Sequence, residues 1–223
     1  MNRPLLDLLR TGQSLMRWVY PDRCSLCNRL DRPPICADCR AEMPPWEGGS
    51  PPLPQVDRLE ACHMYEGRAA QAVRLLKYER RQALAAPMAR EMAEAWRRLG
   101  VGPDALVLPV PLHGSRRRVR GFNQSDLLAE ALPGEIGRSL LRIRATRPQV
   151  DLTAAERRVS LQGAFRASEA VQDREIVLVD DVVTTGGTVL ACLEALKAAG
   201  ARRILVLAYC CGRGPEDEEG HSE

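Results

Sequence analysis

The stretch 176-IVLVDDVVTTGGTVLA-191 decides how the rest of the chain is read. Ile176 to Asp180 is an apolar run short enough to be a buried strand. It ends on an acid, Asp180, with a second acid, Asp181, beside it. A Thr-Thr-Gly-Gly turn follows, then a helical run from Thr188 to Ala199 that Gly200 closes. In an open sheet built from such strand-turn-helix units, ligands gather at the carboxyl ends of the strands. The two acids fall at that edge.

Similar units surround it. Val56 to Tyr65, Ala105 to Val110, Ser139 to Arg144 and Arg203 to Tyr209 read as strands. Arg68 to Tyr78 and Leu84 to Leu99 space their apolar residues as helices do. Asn123 to Leu132 reads as a helix with Asn123 as N-cap. Thr153-Ala-Ala-Glu156 is a capping box that starts another near Ala154. Apolar strands alternating with amphipathic helices predict an α/β domain with a mostly parallel sheet flanked by helices. The segment 44-PPWEGGSPPLP-54 can continue neither a helix nor a central strand, and is read as a linker. The expected organisation is an N-terminal helix and cysteine module over 1–50, the α/β domain over 55–212, and an acidic, disordered tail over 213–223.

The turn after the two acids has the chemistry of a phosphate cradle. Gly186 and Gly187 let backbone N–H groups approach a ligand, and Thr184, Thr185 and Thr188 add hydroxyl donors. The helix N-terminus adds partial positive charge. A bare phosphate is a poor neighbour for two carboxylates. A sugar phosphate is a good one, because its hydroxyls donate to the acids while its phosphate enters the turn. Two plainer readings compete. A Walker B acid would need a Gly-rich loop ending in Gly-Lys, and that dipeptide occurs nowhere in the chain. A solvated turn capped by threonine explains one hydroxyl, not the run.

Near the other end stand Cys24-Ser-Leu-Cys27 and Cys36-Ala-Asp-Cys39. Two CxxC turns at this separation can bring four thiolates around one tetrahedral Zn²⁺ in a closed, structural site; the competing readings are a redox pair or four unrelated thiols. In so small a segment the metal would supply much of the folding energy. Cys192 and Cys210 read as packing residues, and Cys62-His63 is an isolated metal-type pair.

The 223 residues are 45% hydrophobic and 27% charged, the make-up of a soluble globular protein. The formal charge is +3, yet five acids crowd the tail after Pro215, so the body is more basic than the total suggests. A basic body favours an anionic ligand, a phosphate ester or a nucleic acid. Of the 32 basic residues only Lys77 and Lys197 are lysine. The first twenty residues have amphipathic helical spacing interrupted by Arg10 and Arg17, without a cleavage site. No apolar run is long enough to span a bilayer, so a cytoplasmic protein without membrane insertion is expected.

VLVDDVVTTGGT resembles the phosphoribosyl-pyrophosphate loop of type I phosphoribosyltransferases. The resemblance extends along the chain: the cysteines at 24–39, Leu76-Lys77-Tyr78, Pro109-Val110-Pro111, Arg120-Gly121-Phe122-Asn123-Gln124, Gln149, Arg157 and Gly163-Ala164-Phe165. Taken together these resemble the ComF family, competence-associated proteins with an N-terminal zinc module. Ser160 departs from the asparagine usual there. The resemblance implies a type I phosphoribosyltransferase-like fold. It also implies a ligand, phosphoribosyl pyrophosphate or a related sugar phosphate. Val182, Val183 and Thr184 to Thr188 (Thr184, Thr185, Gly186, Gly187, Thr188) would surround the 5-phosphate. Asp180 and Asp181 would hold the ribose, and Mg²⁺ would bridge pyrophosphate and ribose hydroxyls. Two functions follow from different classes: transfer of the phosphoribosyl group to an unidentified acceptor, or a non-enzymatic role in DNA uptake, contacting single-stranded DNA or the competence machinery.

The stretch 115-SRRRVRGFNQ-124 follows the strand ending in Pro-Val-Pro and reads as a mobile loop over the site. Its arginines suit pyrophosphate, nucleic-acid phosphates or plain solvation. Arg120 is read as the catalytic cation at the departing pyrophosphate, with Asn123 and Gln124 on the inner edge. Phe122 is the only aromatic within the stretch, which supports base stacking weakly. Lys77 is read either as a ligand cation or as the cation that ends its helix.

Overall fold

The computed structural model describes residues 22–30, 32–48, 53, 56–102, 104–144 and 160–212. The expected N-terminal helix, the capping-box helix near Ala154, Gln149, Arg157 and the acidic tail lie outside the described residues. The elements in chain order are α1 (Ala37–Ala41), β1 (Arg58–Met64), α2 (Gly67–Tyr78), α3 (Ala85–Leu99) and β2 (Leu106–Pro109). Then come α4 (Gly114–Arg120), α5 (Gln124–Ala129), β3 (Glu135–Ile136), β4 (Leu140–Arg142), β5 (Phe165–Ala167), β6 (Glu175–Val183), α6 (Gly187–Ala198) and β7 (Arg203–Cys211).

Five strands form one parallel sheet in the order β1-β7-β6-β2-β3. β6 and β7 lie inside it and are buried along nearly their whole length. Their sequences are continuous apolar runs for that reason, since helices cover both faces. On one face Val107, Val177, Val179, Leu205 and Leu207 pack against α2, α3 and α5, and against the cysteine segment. On the other, Leu106, Leu108, Ile176, Leu178, Ile204 and Val206 pack against α6 and the β4–β5 pair. The linker is not a free spacer at its start. Met64 N–H donates to Pro44 O at 2.9 Å, Trp46 N–H donates to Cys62 O at 3.2 Å, and Pro45 bridges His63. These prolines close the β1 edge to further pairing.

Three expectations need correction. β6 runs through both aspartates to Val183, so the acids stand inside the strand rather than at its end. The basic stretch is a helix, α4, not a loop. His113 caps it by accepting from Ser115 N–H at 3.3 Å, and Gly121 stops it at φ +87°. The strand expected over 139–144 is only Leu140–Arg142, and it stands outside the main sheet, antiparallel to β5.

The sheet slips by one residue at a single level. Along β6, Val177 and Val179 face the first core, and Ile176 and Leu178 the second. Strict alternation would send Val182 to the second core and Val183 to the first. The reverse is found. Tyr209 and Cys210 of β7 both join the first core. In β1 Cys62 packs against that core while His63 meets Tyr209 edge-on. The slip therefore crosses three neighbouring strands, as an in-step bulge would. In β6 it falls between Asp181 and Val182, which both face the first core.

Candidate functional site

The pleat of β6 separates the two carboxylates. Asp181 points to the α2 face, where Lys77 Nζ meets its Oδ1 at 2.8 Å. Lys77 stands in the last turn of α2, and both partners are largely buried. Burial opposes the Lys77 charge, but Asp181 and Asp180 outweigh it and raise the ammonium's pKa. Asp181 Oδ2 is buried and has no hydrogen-bond partner. Asp180 turns the other way. Its Oδ1 accepts from Ser125 Oγ at 3.2 Å and from Asp181 N–H at 2.9 Å. Burial, and then the charge of Asp181, push the Asp180 carboxyl up to about 7, against the pull of Lys77 and these two donors.

Asp180 lines one cleft with Leu161 and the run Val182 to Val189. The floor of that cleft is the turn expected from the sequence. Gly186, at φ +71°, is the N-cap of the twelve-residue helix α6. No side chain caps this helix, so its first N–H groups are open to a ligand. The left-handed conformation suits glycine, and a Cβ there would collide with the Leu53 side chain. Leu53, from the linker, thus lies against the turn.

Arg116 and Arg120 are half-buried on one side of α4, while Arg117 and Arg118 are exposed. Arg120 donates to Gln124 Oε1 and lies 5.8 Å from the Tyr78 ring centroid. Burial lowers its pKa, with Arg116 adding to the effect and Asp181 resisting it. Arg142, from β4, lies over Phe165 at 5.3 Å. Burial and Arg116 lower its pKa too, and Asp180 resists. Arg116 thus bears on both Arg120 and Arg142 near the two carboxylates, an arrangement that an anion would relieve. Asn123 works as a local brace: its Nδ2 donates to Val110 O and to Asp126 Oδ1, both at 3.1 Å, and its Oδ1 caps α5.

The four cysteines converge. Cys24, Cys27, Cys36 and Cys39 hold their Sγ atoms within 4.8 Å of one another. The Cys24–Cys39 and Cys27–Cys36 sulfurs are 3.8 Å apart. Ligands about 2.3 Å from a tetrahedral zinc are separated by about 3.8 Å, so the donor set fits that ion. Burial would raise the Cys24 thiol, but N–H donors of Cys27, Cys36 and Leu26 outweigh it and hold the pKa at about 6. Among the described residues no other cluster of this kind occurs, and Cys62-His63 takes no part in one. His63 Nε2 instead contacts Glu91 Oε2 at 2.7 Å.

A model of the phosphoribosyl transferase domain matches residues 119–222. "DNA utilization protein YhgH" of Salmonella typhimurium is 35% identical over 84% of this chain and 85% of its own length. "Competence protein F" of Haemophilus influenzae is 35% identical over 47% of this chain and 48% of its own. "Competence protein ComFC" of Bacillus subtilis is 32% identical over 45% and 42%. The chain belongs to the ComF family. The parallel sheet and the turn before α6 are therefore the phosphoribosyltransferase-type domain of a ComF protein, carrying a four-cysteine cluster compatible with structural zinc.

Sequence reasoning on this ComF chain missed several residues at the site. Ser125 follows Asn123-Gln124 directly, and its hydroxyl could have been read as a donor. Arg142 and Leu53 carried no signal, because a short strand and a proline-rich linker reveal nothing about what they overlie. Glu91 was invisible as one acid on an amphipathic helix.

Among the described residues no helix is long and apolar enough to cross a membrane.

Proposed function

We propose that this ComF protein binds phosphoribosyl pyrophosphate, in the cytoplasm and in the service of DNA uptake or use. The observation that carries the reading is one cleft holding both Asp180 and the open N-terminus of α6. A ligand there must offer hydroxyls at one end and a phosphate at the other. The 5-phosphate enters the turn Thr184–Thr188, where backbone N–H groups and the helix dipole favour negative charge. Ribose hydroxyls donate to Asp180 and to the unpartnered Oδ2 of Asp181. The pyrophosphate lies toward Arg120 and Arg116. Mg²⁺ would travel with the pyrophosphate, coordinated mainly by its oxygens and water, with the two aspartates as the nearby carboxylates.

If a phosphoribosyl group is transferred, the C1–oxygen bond to pyrophosphate breaks and the sugar passes through an oxocarbenium-like state. The acceptor attacks from the opposite side, with inversion. Arg120, held by Gln124 and Tyr78, stabilises the charge that grows on the departing oxygen. Lys77 holds Asp181 in place beside the sugar. The four thiols hold one structural Zn²⁺, which a 1:1 metal content by atomic emission would support and its absence would refute.

Calorimetry with phosphoribosyl pyrophosphate and Mg²⁺ tests the ligand. Wild type should bind, and Asp180→Asn/Asp181→Asn should not. No binding by wild type, or equal binding by both, sinks the reading. A screen for pyrophosphate release against nucleobases and amines then asks whether anything is transferred.

A further inference from the structure

β6 and β7 run parallel and end side by side, Val183 against Cys211. Both leave the sheet at its carboxyl edge, the side on which ligands gather. Gly212, the next residue, stays with β6: its N–H donates to Val183 O at 2.7 Å. It also lies against the phosphate turn. A Cβ added to Gly212 would stand 3.3 Å from Thr184 Cα. The chain beyond Gly212 thus starts at the rim of the cleft that Thr184 lines. That chain is 213-RGPEDEEGHSE-223, with an unbroken run of acids from Glu216 to Glu219. Fully extended from Gly212, this run reaches about 13 to 25 Å.

The cleft offers charges that suit it. Arg116 and Arg120 are half-buried on one side of α4. The site's own carboxylates hold other partners, Lys77 for Asp181 and Ser125 for Asp180. Asp180 stands about 10 Å before Val183 on β6. Arg142 and Arg120 feel Asp180 and Asp181 in turn, and charges act over about 10 Å. The arginines therefore lie about 20 Å or less from Gly212, inside the reach of the acidic run.

We propose that residues 216–219 fold back over the cleft and occupy its arginines and the N-terminus of α6, so that the chain's own tail competes with the phosphates of the ligand. Carboxylates suit both places, since guanidinium groups and helix N-termini favour them as they favour phosphate oxygens. A short tether supplies the acids at millimolar local concentration. Each contact is weak and screened by salt, so a ligand with two phosphates displaces the tail where a lone weak anion does not. The inference rests on the reading of this cleft as a sugar-phosphate site, and adds regulation of that site by a segment of the same chain.

Calorimetry with inorganic pyrophosphate on the full chain tests it. Glu216→Gln/Glu218→Gln/Glu219→Gln should bind about fivefold more tightly than wild type at about 50 mM salt. The gap should close at about 0.5 M salt. Asp104→Asn/Glu169→Gln/Asp173→Asn changes the net charge by the same amount, from exposed positions that precede β2 and β6 at the opposite edge of the sheet. It should bind as wild type does. A synthetic peptide of residues 213–223 at millimolar concentration should displace pyrophosphate from the tail variant. Equal affinity in wild type and tail variant overturns the proposal and leaves the cleft's ligand reading standing. Equal gains in the two triple variants overturn it in favour of net charge alone. A gain that grows with protein concentration places the tail on a neighbouring copy and overturns the contact within one chain. Binding by none of the three proteins means that the cleft holds no anion, and the sugar-phosphate reading falls together with the proposal.

Discussion

Lys77 Nζ and Asp181 Oδ1 meet at 2.8 Å, joining the last turn of α2 to the level at which β6 slips. The pair explains why a chain with thirty arginines keeps a lysine here. A compact ammonium on a thin stem fits between helix and sheet, where a planar guanidinium needs room on two sides. Lys77→Met should strand a buried carboxylate and cost about 3 kcal/mol in urea denaturation. Lys77→Arg should recover part of that loss. Unchanged stability in Lys77→Met would show that the pair contributes nothing to the fold.

Asp180 makes stability and binding depend on pH in opposite directions. Its carboxyl titrates near 7 instead of 3.8, because burial and Asp181 disfavour the ionised form. The native state therefore holds this proton more tightly than the unfolded chain does. The resulting stabilisation is complete below the ordinary carboxyl range and is lost as pH rises through about 7. Asp180→Asn should flatten that decline. Ligand affinity should instead climb between about pH 6 and 8, by about tenfold, as the carboxylate becomes free to accept ribose hydroxyls. Calorimetry across this range should show no such climb in Asp180→Asn.

Glu91 ties the cysteine segment to the sheet. It meets Arg40 Nε at 2.9 Å, His63 Nε2 at 2.7 Å and the Tyr209 hydroxyl at 3.2 Å. Glu91→Ala should leave the Tyr209 hydroxyl, whose remaining contact is with Met43 sulfur at 3.4 Å, poorly satisfied, at about 2 kcal/mol. Arg40→Ala should cost less than about 1 kcal/mol, because half of that arginine is exposed. Equal losses in the two variants would contradict this order.

The cysteine segment contributes Cys24, Leu26, Ile35, Cys36, Cys39 and Met43 to the same core as α2 and α3. Metal removal should therefore be felt in the main domain. Chelation, or Cys39→Ser, should lower the melting temperature of the whole protein and raise amide exchange in α2 and α3. Loss confined to residues 22–43 would show that the segment folds independently.

Gly186→Ala meets two obstacles at once, the left-handed backbone and the Leu53 side chain. It should destabilise by more than about 1 kcal/mol. Leu53→Ala should remove the second obstacle, so the double variant should be less harmful than the two single losses combined. Strict additivity would show that Leu53 does not press on the turn.

Much of this protein could be read from the chain alone, and the reason is local. Periods of apolar residues mark strands and helices, so Ile176 to Asp180, Arg68 to Tyr78 and Thr188 to Ala199 were legible. Gly186 and Gly187 announced a turn that only glycine makes easily, and two CxxC pairs announced four converging thiols, because neighbours in sequence are neighbours in space. The basic stretch failed on the same ground. Its capping residues, His113 and Gly121, were present, but a run of arginines has no apolar period to mark a helix.

The tertiary structure alone decided how those parts meet. An in-step slip through β1, β7 and β6 cannot be read from any one strand, because each strand by itself satisfies alternation on either side of it. Packing around β6 gives Asp181 to Lys77 and Asp180 to Ser125, so two adjacent acids acquire different partners. Packing likewise brings Tyr78 to Arg120 and Leu53 to Gly186. Sequence determined which groups the chain owns and which turn faces the strand ends. Burial, which depends on every other element being in place, decided which charges pair, which oxygen is left without a donor, and where a ligand can supply one.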